Sequence, residues 1–510
     1  MVHSFTIRQA YLAILGVAAL SACSKVNEVA PADTSLSQNA NSIATTAKSN
    51  SLLSLTDLFP LSLFSGAAAG SNTVNQSDEM AFAQPSPALS YLDRQYHTKG
   101  QDEFEHTFTL QELAPLWNNE KCSGCHVNGG RSPLGKNPLI PQLLFRVSIP
   151  GTNEDGGPNP VPGFGDQIQP FIVQDGVRVV GPEGTVSITY AEQLKSFADG
   201  LSYSLRTPTY TPTATLPANA MISPRIGGQV AGLGLLESVT DQDILALADP
   251  KDKDKDGITG EPNWVWDVAQ QKVALGRFGW KANQPNLLQQ AASAFNGDLG
   301  ITSPFFPLKP NVAGGGRNKK GPGIILPSSG LGSISAAAAV LTNANTPTSG
   351  TDIGTDELFS TAFYTGTLGV PATRNSNDPQ VKAGQALFVA AKCAVCHRPK
   401  LQTSLLAPYG LAGQVIHPYT DLLLHDMGPG LADNRPDFQA SGSEWRTAPL
   451  WGLGLSATTS KHTNYLHDGR ARNVLEAIMW HGGEGDVSRR YVEQLSQKDR
   501  DALVAFVNSL

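Results

Sequence analysis

Two short runs hold the residues best equipped for chemistry, Cys122-Ser-Gly-Cys125-His126 and Cys393-Ala-Val-Cys396-His397. Each reads C-x-x-C-H. Two thiols one helical turn apart can each form a thioether to one vinyl group of a porphyrin, and the adjacent histidine then falls beneath the iron as proximal ligand. Five cysteines are present and four of them lie in these runs; Cys23 is the fifth. Structural zinc needs four ligands at closed spacing, and neither run has a second C-x-x-C to supply them. Thiol exchange at a redox disulfide is the other alternative. The expectation is therefore two covalently attached c-type haems, held by Cys122, Cys125 and His126 and by Cys393, Cys396 and His397.

What an iron does depends on the group opposite its proximal histidine. A strong second ligand makes an electron-transfer haem, and a weak or absent one leaves room for oxygen chemistry. After His397 the available side chains are His417, His425, Met427, His462, His467, Met479 and His481. His481 ends the helical pattern that starts at Asn473 and precedes Gly482 and Gly483, so it can approach an iron closely. Met427 is the alternative. No histidine follows His126 closely; His97 and His106 precede it and could cap the first iron. A separate acidic run, Asp252-Lys-Asp254-Lys-Asp256-Gly257, matches the first half of an EF-hand-type calcium loop. The glutamate usual at position 12 is replaced by Asn263, with Glu261 nearby, so a Ca2+ site at Asp252, Asp254 and Asp256 stands against a solvated acidic turn.

These groups must be positioned by the surrounding elements. Thr109-Leu-Gln-Glu112 is a capping-box pattern that opens a short helix through Leu113, Leu116 and Trp117 toward the first run. Alternation in Val186-Ser-Ile-Thr-Tyr190 predicts a strand, with further strands near 142–149 and 176–180. Asp378-Pro379 starts a helix with Val381, Leu387, Phe388 and Ala391 on one face. Gly384 permits close crossing by another helix. The partner expected is the last one, opened by the capping box Ser496-Gln-Lys-Asp499 and apolar at Leu503, Phe506, Val507 and Leu510. A helix before the haem run crossed by a terminal helix is the cytochrome c arrangement.

Composition bounds the rest. A chain of 510 residues, 16% charged, with 50 Gly and 35 Pro, is globular and loop-rich. The net charge of −7 includes no basic block, which argues against nucleic acid as a partner. Arg8 precedes an apolar run from Ala10 to Leu20, too short for a typical spanning helix, and Leu20-Ser-Ala-Cys23 resembles a bacterial lipoprotein box. Cys23 is thus the expected lipidation site, with a periplasmic, outer-membrane-anchored protein as the consequence. The organisation read from the chain is a signal peptide at 1–23, a Ser/Asn/Ala/Thr-rich tether at 24–88, a first haem domain at 89–310, a low-complexity linker at 311–352 and a second haem domain at 353–510. The fold class expected is mainly α with short β and loop insertions, built as two cytochrome c-like haem domains.

Three stretches carry a more specific likeness. They are Asp421-Leu-Leu-Leu-His425-Asp-Met427-Gly-Pro-Gly-Leu-Ala-Asp433, Glu444-Trp-Arg-Thr-Ala-Pro-Leu-Trp451-Gly-Leu-Gly454, and Tyr465-Leu-His467-Asp-Gly-Arg470 with Leu475-Glu-Ala-Ile-Met-Trp-His481-Gly-Gly. Together they resemble the bacterial di-haem oxidoreductase family, a relative of the di-haem cytochrome c peroxidases and of the methylamine-utilisation di-haem enzyme, over roughly residues 89 to 510. The resemblance implies hydrogen peroxide or a similar oxidant at the His126 haem, and electrons arriving from a small redox protein through the His397 haem. It also implies that His481 stands where the peroxidases carry an axial methionine, which suggests a His397/His481 pair of lower reduction potential. His467 falls at the domain interface of those relatives. The distal glutamate of the relatives would be Glu237 here, because Gly232-Leu-Gly-Leu echoes Gly452-Leu-Gly-Leu. Trp280 would be the relay between haems.

Overall fold

A computed structural model describes residues 66–113, 115–134, 143–310 and 350–510. The expected signal, Cys23, most of the tether and positions 311–349 of the linker lie outside the described residues. Helix α1 (Tyr91–Glu105) starts where Ser90 and Asp93 cap each other reciprocally. The Thr109/Glu112 box forms, with Glu112 accepting from the Thr109 N–H at 2.7 Å, but its helix spans Leu110–Leu113 and does not reach Trp117. Pro115 lacks the N–H that would continue the ladder. One helical turn, α2 (Cys122–Cys125), then presents the first C-x-x-C run. Further on come α3 (Leu233–Glu237), α4 (Leu287–Leu299) and α5 (Thr355–Gly366).

The second run repeats this plan. Helix α6 (Pro379–Ala390) opens at Asp378, whose carboxylate accepts from the Gln380 N–H at 2.7 Å. It leads to α7 (Cys393–Cys396), then to α8 (Val474–Met479), α9 (Asp486–Glu493) and α10 (Gln497–Ser509). As expected, α6 crosses α10 at Gly384, where a Cβ would overlap the Ala502 carbonyl oxygen. The same crossing occurs between α1 and α5, where a Cβ on Gly100 would overlap the Ser360 carbonyl. Gly232 and Gly452 both adopt the left-handed conformation, with φ of 76° and 70°. Asn286 caps α4 and Asn473 caps α8, each through its third following N–H. Isolated bridges Phe278–Gln284 and Tyr465–Ala471 precede those caps at matching positions. One structural plan thus occurs twice, each time around one C-x-x-C-H turn.

Two features differ from the sequence reading. Helix α5 lies after the expected domain border at 352, yet it packs on α1, α3 and α4, so the first lobe is completed by a helix from beyond that border. Strand content is also larger than a mainly α fold with short insertions: the described structure is mixed, 29% helix and 21% strand in many small sheets. Strand β1 (Leu144–Thr152) pairs with β4 (Met221–Arg225), and between them β2 (Val186–Ser196) and β3 (Ser202–Pro212) form a long antiparallel hairpin. β3 holds Pro208 and Pro212 among Ser and Thr, a composition that reads as loop; its ladder depends on pairing with β2. The hairpin reaches the second lobe, where Tyr203 donates to Glu493 at 3.0 Å and Arg206 to the Arg470 carbonyl at 2.6 Å.

Separate cores support the two lobes. Trp117, Phe295, Phe359 and Phe363 pack around α4 and α5, and Phe388, Tyr419, Leu503 and Phe506 around α6 and α10. Each such side chain contributes about 1.5–3 kcal/mol when fully buried. Among the described residues no helix is long and apolar enough to cross a membrane.

The two glycine crossings generate a test. Gly100→Ala and Gly384→Ala should each lower unfolding free energy by about 1–3 kcal/mol, because backbone rather than a flexible side chain must give way. Denaturant unfolding of the holoprotein followed by circular dichroism measures this; unchanged midpoints in both variants would show that the helices do not cross there.

Candidate functional site

His126 follows its one-turn helix and donates Nδ1–H to the Gly228 carbonyl at 2.7 Å. His397 donates Nδ1–H to the Tyr419 carbonyl at 2.9 Å. Each bond sets the tautomer and leaves Nε2 with its lone pair, the form a haem ligand requires. Burial disfavours the imidazolium of both rings, and holds His397 down to about 4. The four cysteines of the two runs form no disulfide, and burial pushes the Cys122, Cys125 and Cys393 thiols up to about 12. Thiol exchange and metal–thiolate binding need a stabilised thiolate, which burial disfavours at Cys122, Cys125 and Cys393.

A cavity of about 280 Å³ lies against the first run, lined by Cys122, Cys125 and His126, by Phe104 and Phe295, and by one face of α4. That face presents Gln290, Ala294 and Asp298, spaced four residues apart. Counting from the shared caps Asn286 and Asn473, Ala294 takes the place that His481 holds after α8. His481 donates Nδ1–H to the Ala477 carbonyl at 2.8 Å, which again leaves Nε2 available, and it is close enough to His397 to lower that ring's pKa. The His481 ring and the Met427 methyl both border Gly485, each 3.2 Å from where a Cβ would stand. The structure therefore brings both candidate sixth ligands to one place.

Four other histidines make specific contacts, although His97 keeps its Nε2 without a hydrogen-bond partner. His425 sits between Asp421 (2.9 Å) and Glu484 (2.6 Å). Burial opposes its charge, but the Asp421 carboxylate outweighs that and raises its pKa well above 6.5. Both ring nitrogens of His462 are bonded, to the Ser132 carbonyl and the Asn464 N–H. His467 stacks on Trp445 at 3.7 Å. His97 donates to Thr367 Oγ1, which itself donates to the Phe363 carbonyl.

Glu237 does not line the cavity. It is buried, and its Oε1 accepts from the Leu287 N–H at the start of α4. The glycine echo located equivalent turns correctly, but the carboxylate after the first one anchors a helix. Among the described lining residues the carboxylate is Asp298, held by Gln167 Nε2 at 2.9 Å. Sequence reasoning missed it because its relation to Gln290 and Ala294 appears only once α4 is known to continue past Phe295. Trp280 does line the cavity. Its indole N–H donates to the Ile226 carbonyl at 2.7 Å, and its own carbonyl accepts from the Arg446 N–H. Arg446 ends β6 (Glu444–Arg446), which pairs with β5 (Leu424–Asp426) carrying His425, beside Cys396. Trp280 thus shares the cavity wall with the first run and is bonded to the strand pair that carries His425.

Asp252, Asp254 and Asp256 bring oxygen atoms within 4.8 Å of one another. Asn263, in the place of the closing glutamate, is directed elsewhere: it donates to the Lys281 and Asp437 carbonyls. The expected loop therefore lacks its closing ligand at that position.

A charged network joins the lobes. Fully buried Lys281 donates to Asp433 Oδ1 at 3.0 Å and to the Arg435 and Ser441 carbonyls, and Arg225 pairs with Asp433 and Asp437 at 3.6 Å. Burial lowers the Lys281 pKa to about 8 against the pull of Asp433.

Among comparisons with known proteins, a family model described as "Di-haem oxidoreductase, putative peroxidase" matches residues 64–510. No curated protein matches. One solved structure does, "Kuenenia stuttgartiensis Hydrazine Synthase Pressurized with 20 bar Xenon", at 18% identity and a TM-score of 0.22. The match covers 32% of this chain and 58% of that chain, and so low a score carries no argument about fold or activity.

The buried network supplies the second test. Lys281→Met leaves Asp433 without its ammonium partner and should cost about 3–5 kcal/mol of stability, read as a fall in the denaturation midpoint. A change under 1 kcal/mol would mean that the lysine is not buried as described.

Proposed function

Because the chain belongs to the di-haem oxidoreductase family, we propose that it reduces hydrogen peroxide in the cavity beside His126, with electrons received at the His397 lobe. The observation that carries this reading is the exchange of His481 for Ala294 at equivalent places in the two lobes. A haem held by Cys122, Cys125 and His126 would supply redox-active iron. Ala294 offers no ligand atom and leaves space, whereas His481 and Met427 lie together near His397, where either would be able to ligate an iron. The two lobes are thereby divided into a reactive site and an electron-storing site.

The chain's own groups suit the remaining work. Two electrons and two protons convert hydrogen peroxide into two molecules of water, so a side chain in the cavity must accept a proton from one peroxide oxygen and return it to the other. Asp298 is the cavity carboxylate placed for that transfer, with Gln290 on the same helix face to orient the substrate. Trp280 lies at the cavity wall and is bonded to the strand pair that reaches Cys396, which suits it to carry electrons between the sites. The donor is a one-electron carrier such as a small redox protein. We further propose an exported protein held at the membrane through a lipid on Cys23, since covalent haem attachment takes place outside the cytoplasm. Ca2+ at the Asp252, Asp254 and Asp256 loop remains part of the proposal, with its coordination completed by other groups than Asn263.

Magnetic resonance of the oxidised holoprotein tests the division of labour. One high-spin and one low-spin iron are expected; Ala294→His should convert the first to low spin and abolish the response to peroxide, and His481→Gly combined with Met427→Ala should create a second high-spin signal. Asp298→Asn should lower peroxide turnover about 100-fold or more, and Glu237→Gln should leave it within a few fold. Two low-spin irons in the unaltered protein, unresponsive to peroxide, would sink the reading.

A further inference from the structure

Charge in the His126 cavity is unbalanced. Its wall includes Lys121, Arg131, Arg146, Arg225 and Arg446 against the carboxylate of Asp298. Some of these cations are already neutralised: Arg146 pairs with Asp166 at 3.6 Å, and Arg225 with Asp433 and Asp437. Lys121 is half-buried next to Cys122. Like Lys121, Arg131 and Arg446 make no ion pair with any described carboxylate; unlike that flexible ammonium, they hold planar guanidiniums fixed at the cavity wall.

Both guanidiniums are firmly placed by backbone oxygen atoms. Arg131 donates Nε–H to the Asn464 carbonyl at 3.2 Å and Nη2–H to the Leu466 carbonyl at 3.0 Å. Its charge lies 5.7 Å from the rings of both Trp280 and Tyr465. Arg446 donates Nε–H to the Gly279 carbonyl at 2.9 Å and Nη1–H to the Thr447 carbonyl at 3.2 Å. A guanidinium has five N–H donors, so each arginine keeps unused donors on a fixed fork. Burial lowers the pKa of each to about 10, with Asp421 giving Arg446 only partial support from a distance. Each nevertheless retains accessible surface, because that surface faces the cavity.

An enclosed guanidinium with no counter-ion costs several kcal/mol of desolvation. A carboxylate that it can grip through paired N–H donors offsets that cost. A porphyrin attached at Cys122 and Cys125 brings two carboxylates of its own. We propose that Arg131 and Arg446 form the binding site for the propionate groups of the haem on the first run. This assignment rests on the haem reading of the cavity. Its consequence is electrostatic: two fixed positive charges favour the reduced over the oxidised iron, and they set the potential of the reactive haem apart from that of its neighbour.

The experiment compares the unaltered holoprotein with Arg131→Gln, Arg446→Gln, the double variant and the two Arg→Lys variants. A pyridine haemochrome assay first counts covalent haems; fewer than two in the unaltered protein would overturn the haem reading itself. With two haems present, resonance Raman spectra should show the propionate bending bands of the high-spin haem displaced in each Gln variant, and less so in the Lys variants. The reduction equilibrium of that haem should move at least tenfold toward the ferric state in the double variant, 59 mV for one electron, with the low-spin haem unchanged. Unmoved bands and potentials in the double variant would overturn the assignment, as would a shift confined to the low-spin haem.

Discussion

A single hydrogen bond, from imidazole Nδ1–H to a backbone carbonyl, underlies each half of this molecule. The carbonyls belong to Gly228 and Tyr419, which are distant in the chain from His126 and His397. Each bond fixes the ring's orientation and tautomer, so Nε2 keeps the lone pair that an iron would require. The surrounding architecture serves this geometry. A one-turn helix presents two cysteines, and a preceding helix is crossed closely by a later one at a glycine. An asparagine-capped helix then brings the opposite wall into place.

The duplication of this plan makes the differences between the lobes meaningful. Equivalent caps at Asn286 and Asn473 start helices that deliver Ala294 in one lobe and His481 in the other. An alanine leaves volume and no donor atom, and a histidine closes a coordination sphere. On the proposed reading, divergence at this one structural position would be enough to separate a reactive centre from an electron store. The long hairpin from the first lobe and the Lys281–Asp433–Arg225 network hold the lobes in fixed relation, as the proposed transfer through Trp280 would require.

Charge is distributed with the same logic. Several buried ionised groups outside the cavity are matched within the protein, as His425 is by Asp421 and Glu484. Arg131 and Arg446 keep unmatched charge directed inward. Enclosed cations are tolerated where an anion completes them, and the two propionates of a porphyrin would do so here.

What the sequence determined by itself was local. C-x-x-C-H spacing identifies two haem turns because thioether and axial-ligand geometry is satisfied within five consecutive residues. The caps at Asp378, Ser496 and Thr109 and the close approach at Gly384 were readable because each depends on a few neighbouring residues or on one absent side chain. Only the tertiary structure decided which distant groups face each turn. It withdrew Glu237 from the cavity to the start of a helix, put Asp298 at the wall, and assigned α5 to the lobe before the expected border. It also paired the Pro- and Thr-containing strand Ser202–Pro212 with a neighbour. Those outcomes depend on contacts between segments tens to hundreds of residues apart, and the free energy of such contacts is written in packing and burial rather than in any local pattern.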